Sequence, residues 1–218
     1  MSLNIELARH NMIEQQVRPW DVLESRVLEA ISAIRREDFV PAAQRNLAFA
    51  DVDLPLGHGE IMLRPVIEGR LLQAALPTRE ESVLEVGTGS GFFTACLGRL
   101  AGRVTSLDVE PDFIDAANRR LHAANVRNVT LENADAVRDF KANEAYDVMV
   151  VTGAVYELPP QWRGFVKPGG RIVALVGQSP AQRAMLYSRS GDVWSEQALF
   201  ETDLPYLRHA GPPARFSL

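Results

Sequence analysis

The spacing of apolar positions changes character part-way along the chain. Up to about residue 78 it is helical, with Ile5, Met12, Ile13 and Val17 followed by Val22, Val27, Leu28, Ile31 and Ile34. This predicts helices over 5–18 and 21–36, separated by Pro19, with Asp21 as the second N-cap. The charge cluster Arg35-Arg36-Glu37-Asp38 reads as a solvated helix end. Leu54 to Glu60 is rich enough in glycine and proline to predict a loop. Pro65 suits the first turn of a helix over 65–76, where its missing N–H costs nothing.

Beyond residue 79 short apolar runs alternate with amphipathic stretches, the pattern of a parallel, doubly wound sheet. Strands are expected at 83–86, 104–108, 129–131, 146–151 and 171–176. Helices are expected at 92–100, 113–124 and 158–166, with a turn at Pro168-Gly169-Gly170. The 146–151 run is almost wholly apolar, so it should be buried on both faces. Residues 184–188 and 193–204, joined by Ser190-Gly191-Asp192, predict a closing hairpin, and the chain from Gly211 onward reads as a loose tail. The fold class is therefore α/β: a Rossmann-like, doubly wound, mostly parallel sheet with an N-terminal helical addition and a C-terminal antiparallel hairpin. Residues 1–218 read as a single domain, with 1–78 as the addition and 79–218 as the sheet.

Composition narrows the possible functions. The 218 residues carry a net charge of −5 with both signs interspersed, which gives no electrostatic ground for a nucleic-acid partner. The single cysteine, Cys96, rules out an internal disulfide or a cysteine-cluster metal site and fits a reducing compartment. No metal site is expected. Met1 to Gln16 contains Glu6, Arg9 and Glu14 and cannot be the apolar core of a signal peptide. No run reaches the length of a membrane span, so the expected location is the cytoplasm.

The chemistry concentrates where the first strand ends, at Glu85-Val86-Gly87-Thr88-Gly89-Ser90-Gly91. A glycine-crowded strand-to-helix turn admits positive φ and lets a ligand approach bare backbone. Phe92 stands where the dinucleotide pattern Gly-x-Gly-x-x-Gly requires its third glycine, which disfavours NAD. Glu85 would repel a pyrophosphate and attract an ammonium group, so S-adenosyl-L-methionine, a phosphate-free cation, is the expected cofactor. Asp108 follows at the end of the second strand, where such sheets place an acid for the ribose hydroxyls, with Val109 beside it. Asp135, next to Ala136 after the third strand, is a candidate for the adenine edge, and Thr152 ends the fourth strand. Because ligands sit beyond the carboxyl ends of parallel strands, Glu85, Gly87, Asp108, Asp135 and Thr152 should converge on one crevice. His58, between two glycines, is a further candidate.

These residues resemble the class I S-adenosylmethionine-dependent methyltransferases, and more closely the protein-L-isoaspartate O-methyltransferase family. Glu85 to Gly91 resembles its glycine loop. Arg36-Glu37-Asp38-Phe39-Val40-Pro41 resembles its Arg-Glu-x-Phe-Val-Pro, Leu54 to Gly59 its Leu-Pro-Ile-Gly-x-Gly, and Val151-Thr152-Gly153-Ala154 its Val-Thr-Ala-Ala. The resemblance covers roughly residues 12–177 and implies methyl transfer to the α-carboxylate of isoaspartyl residues in peptides or proteins, a repair reaction. It departs at Glu60-Ile61-Met62-Leu63-Arg64-Pro65, where the family carries Gln-Thr-Ile-Ser-Gln-Pro, so that the hydroxyls are replaced at Ile61 and Leu63. His58, Leu63 and Arg64 are accordingly the acceptor-site candidates. The alternatives are a methyltransferase for a different acceptor, or a protein that holds the cofactor without isoaspartyl activity.

Overall fold

The computed structural model describes residues 4–213, and the part of the expected tail beyond them lies outside the described residues. Helix α1 (Ile5–Met12) runs on through a π-helical turn, Ile13–Val17, and a 3-10 turn, Arg18–Trp20. Pro19 therefore does not separate the predicted helices: it sits in the first turn of the 3-10 segment, where a missing N–H breaks nothing. The break comes at Asp21, left-handed at φ 62°, and the N-cap of α2 (Ser25–Ala33) is Glu24 rather than Asp21. α2 stops short of 36 because Ile34 is already extended.

The expected loop at 54–60 is instead a hairpin, β1 (Leu54–Gly57) against β2 (Glu60–Met62). Its glycines supply the reversal, since Gly57, His58 and Gly59 have φ of 106°, 54° and 83°. Then follow α3 (Pro65–Ala75), β3 (Ser82–Val86), α4 (Phe92–Leu100), β4 (Arg103–Asp108), α5 (Pro111–Ala123) and β5 (Val129–Asn133). The chain closes with β6 (Tyr146–Val155), β7 (Val166–Val176), β8 (Gln182–Ser190) and β9 (Val193–Thr202). In place of the helix expected over 158–166 there is a 3-10 turn, Pro160–Phe165, and β7 begins early enough to absorb the glycine turn at 168–170.

Seven strands form one sheet in the order β5-β4-β3-β6-β7-β8-β9. β3 to β7 are mutually parallel, and β8 and β9 add an antiparallel hairpin. Alternation along the central strands divides the core in two. Val83, Val148, Val150 and Val173 face a cluster built with α2, α3 and α4, while Leu84, Met149, Val151 and Ile172 face the opposite side around Trp162. Cys96 is fully buried on α4, in a packing role. After β9 the chain does not continue as a strand to 204. Residues 203–210 cross back to β6, where Ala154 donates its N–H to the Pro205 carbonyl (3.0 Å) and accepts from Leu207 N–H (2.8 Å). This crossing brings the C-terminal segment to the carboxyl ends of the parallel strands. Among the described residues no helix is long and apolar enough to cross a membrane.

Candidate active site

Parallel pairing sets the ends of β3 and β4 side by side, Val86 against Leu107. The Leu107 carbonyl accepts both Gly87 N–H (2.8 Å) and Thr88 N–H (3.1 Å), which folds the glycine loop against the neighbouring strand. Asp108 completes the turn: Oδ2 accepts from Gly89 N–H (2.8 Å) and Oδ1 from Glu110 N–H (3.0 Å). Gly87 has φ of 99°, and a Cβ there would lie 2.3 Å from Thr152 Oγ1, so only glycine fits. The Thr152 hydroxyl donates to the Gly87 carbonyl (2.6 Å), holding the loop from the other side.

These elements enclose a cleft of about 680 Å³, open at its mouth, beyond the carboxyl ends of the strands. Gly87, Gly89, Asp108, Val109, Asp135, Ala136 and Thr152 line it, so the predicted convergence is real for these residues. β2 supplies one rim with Glu60, Ile61 and Leu63, and the crossing segment supplies the other with Leu204, Pro205, Leu207 and Arg208. The carboxylates outnumber the cations, because Glu60, Asp108 and Asp135 face Arg208 alone. Burial pushes the Asp108 carboxyl above its ordinary value. Glu60 is raised as well, first by burial and then by the nearby Asp108 charge.

Several expected site residues lie elsewhere. Glu85 does not reach the cleft: strand alternation turns it to the α4 side, where it is 0 % exposed and neither carboxyl oxygen has a hydrogen-bond partner. Burial pushes its pKa up to about 8, and it is not among the residues lining the cleft, so the structure does not bring Glu85 to the place where an ammonium group was expected. Thr88 turns its hydroxyl to Ser106 (2.6 Å), and Ser90 Oγ accepts from Phe92 N–H (3.2 Å) just before α4. Both border a smaller recess beside the loop, of about 290 Å³, rather than the main cleft. Gly91, at φ 83°, serves packing, since a Cβ there would sit 2.9 Å from that of Ala117 on α5. Arg64 points away and pairs with Asp53 (3.4 Å), which also accepts the Arg64 N–H (2.9 Å). His58 stands at the exposed hairpin tip, 3.0 Å from Asp112 and edge-on to Phe113. Its hydrogen bond to Asp112 raises its pKa.

Sequence reasoning missed the groups that close the mouth. Arg208 pairs with Glu110, and His209 Nδ1 lies 2.6 Å from Asp135 Oδ2. Asp135 Oδ1 is also engaged, accepting from Val137 N–H (2.8 Å). A strand prediction that ran on to 204 hid the crossing that carries these side chains. The Arg35–Asp38 cluster is solvated only at Arg35 and Asp38; Arg36 and Glu37, also expected at a solvated helix end, are buried. Arg36 is 1 % exposed, donates to the Ala48 (2.9 Å) and Leu63 (2.7 Å) carbonyls, and pairs with buried Glu68, while Glu37 meets Arg9 at 2.6 Å.

The model of the protein-L-isoaspartate(D-aspartate) O-methyltransferase family matches residues 8–202. The chain belongs to this family. A protein-L-isoaspartate O-methyltransferase of Pseudomonas paraeruginosa is 38 % identical over 178 residues, covering 80 % of this chain and 83 % of that protein. Protein-L-isoaspartate O-methyltransferase 1 of Rhodopseudomonas palustris is 34 % identical over 192 residues, covering 87 % and 78 %. A Plasmodium falciparum structure assigned to the same activity, in complex with S-adenosyl-L-homocysteine, superposes with a TM-score of 0.79 over 92 % of this chain and 98 % of its own. At 14 % identity that likeness concerns the fold. As a family member the chain is an S-adenosylmethionine-dependent methyltransferase, and its cleft fits the cofactor's charge. The Gly89 N–H, which a pyrophosphate would seek, is already taken by Asp108, and the acidic walls favour a phosphate-free cation.

Proposed function

We propose that this methyltransferase transfers a methyl group to the α-carboxylate of isoaspartyl residues in peptides or proteins. In this reading it acts in the cytoplasm, with residues 1–78 and 79–218 working as one domain. The observation that carries it is the joining of an acidic cleft beyond the glycine loop to a mouth between β2 and the 203–210 crossing, in a chain matched by the family model over residues 8–202. The bound cofactor supplies an activated methyl on a sulfonium. Asp108 keeps lone pairs beyond the two backbone bonds it accepts and would hold ribose hydroxyls, while Val109, Ala136 and Val137 would flank the adenine, with Asp135 toward its edge. Ile61, Leu63 and Leu207 give the mouth an apolar lining. No general base is required, because a carboxylate is already ionised at neutral pH and needs only alignment.

Methyl transfer from labelled cofactor to an isoaspartyl peptide, with the aspartyl isomer as control, tests this reading. Methylation of the first alone is expected; cofactor binding without transfer to either peptide would point to another acceptor. Glu60 adds a pH dependence. Its pKa is raised, so a falling pH neutralises it earlier than an ordinary glutamate, and an anionic acceptor then meets less repulsion at the rim. The kcat/KM for the isoaspartyl peptide should therefore decline as pH rises through that range. Glu60→Gln should remove the decline and raise kcat/KM at neutral pH by roughly threefold to tenfold, the scale of one like charge a few ångströms away in a half-screened site. An unchanged profile in the variant would remove Glu60 from the acceptor site.

A further inference from the structure

An acceptor carboxylate entering the cleft must find hydrogen-bond donors, and most of the rim offers none. Ile61 and Leu63 are apolar, Leu204, Pro205 and Leu207 on the opposite rim are apolar, and Glu60 is an acid. Arg64 is turned to Asp53. Arg208 is the one lysine, arginine or histidine among the residues lining the cleft.

Its backbone is firmly set and its tip is not. The crossing segment is tied to β6 on both sides of Arg208, through the Leu207 N–H to the Ala154 carbonyl and the Tyr156 N–H to the Ala210 carbonyl (2.7 Å). The Arg208 side chain nevertheless stays 44 % exposed, so it can swing without moving the chain. Its present partner, Glu110, is 12 % exposed and also has His58 Nδ1 at 3.5 Å, so Glu110 keeps a second polar neighbour, cationic when protonated, when the arginine turns. A guanidinium has more N–H donors than one carboxylate can use, in a planar fork that matches a second carboxylate.

We infer that Arg208 is the acceptor-binding residue of this enzyme, its guanidinium holding the isoaspartyl carboxylate between the β2 rim and the C-terminal crossing. The inference rests on the isoaspartyl reading. It assigns the anchoring of an anionic acceptor to a cation at the mouth, where the apolar β2 rim cannot provide it.

The test measures methylation of a short isoaspartyl peptide and binding of S-adenosyl-L-homocysteine by the native protein, Arg208→Gln and Arg208→Lys. Loss of a charged bidentate contact should raise the peptide KM by about tenfold or more in Arg208→Gln, with the homocysteine product's Kd within about twofold of native. Arg208→Lys should fall between, since it keeps the charge and loses the fork. Added methylguanidinium should restore part of the Arg208→Gln activity and none of the native's. A peptide KM unchanged in Arg208→Gln, or a Kd that rises by the same factor as KM, would overturn the inference and leave Arg208 as a clamp on the cofactor cleft. A native protein that binds the homocysteine product yet methylates no isoaspartyl peptide would overturn the acceptor reading itself, and that outcome is visible before any variant is made.

Discussion

Asp108→Ala is expected to weaken binding of S-adenosyl-L-methionine and S-adenosyl-L-homocysteine by about tenfold to a hundredfold, since a hydrogen bond to a charged group contributes roughly 1.5–3 kcal/mol. Two effects combine. In the proposed site the carboxylate at the end of β4 would hold the ribose hydroxyls, and it already accepts the Gly89 and Glu110 N–H groups that shape the cleft floor. Removing it takes away a ligand contact and loosens the loop that the rest of the ligand lies against. Asp108→Asn should do nearly as much damage, because an amide has a single acceptor oxygen and these two N–H groups are held by separate oxygens. Isothermal titration of native and variant proteins measures the effect; equal affinities would take Asp108 out of the site.

The largest expected effect on stability lies outside the cleft. Arg36 and Glu68 form an ion pair with side chains 1 % and 3 % exposed, and the guanidinium spreads its remaining donors over the Ala48 and Leu63 carbonyls and lies over the Phe92 ring at 4.9 Å. Arg36→Ala would leave three acceptors without a donor and is expected to cost about 3–5 kcal/mol, the usual penalty for breaking a buried pair from one side. For a chain of this size that corresponds to a fall of roughly 6–20 °C in Tm. Arg36→Lys should recover little of it, because one ammonium cannot reach three divergent acceptors. Burial outweighs the arginine and raises the Glu68 pKa to about 7. A raised carboxylate pKa means that the folded state holds the proton more tightly, so this pair stabilises less as pH climbs from the ordinary value near 4.5 toward 7. Thermal unfolding followed by circular dichroism is the check, and a Tm within about 2 °C of native would show that the core collapses around the gap. Because Arg36 also holds the Leu63 carbonyl, a folded Arg36 variant should show a displaced β2 rim as weaker methylation.

What the sequence determined by itself is the local and periodic part of this protein. Apolar runs of strand length, separated by helical stretches, placed β3 to β7 and pointed to parallel pairing, and the glycines at 87, 89 and 91 marked a strand-to-helix turn of positive φ and bare backbone. The place of Asp108 in the cleft was legible for the same reason: it follows from a strand end, which the neighbouring residues define. The β1–β2 hairpin was missed because glycine and proline signal a reversal equally well with or without a paired ladder, and only the ladder tells the two apart.

The tertiary structure decided the direction of each side chain and the partner it meets. Glu85 has a sequence context that suggests a ligand, yet strand alternation sends it into the core while Val86 faces the cleft. Arg36 and Glu37 look like surface charges along the chain, and they are buried because Glu68 and Arg9, 32 and 28 residues away, supply the opposite charge. Arg64 was one candidate cation and Arg208 is the one that lines the cleft, since Asp53 captures the first and the crossing onto β6 delivers the second. Each of these outcomes depends on groups distant in sequence coming within a few ångströms, and no window of local pattern contains that information, because the energy of a buried charge is set by its counterion rather than by its neighbours along the chain.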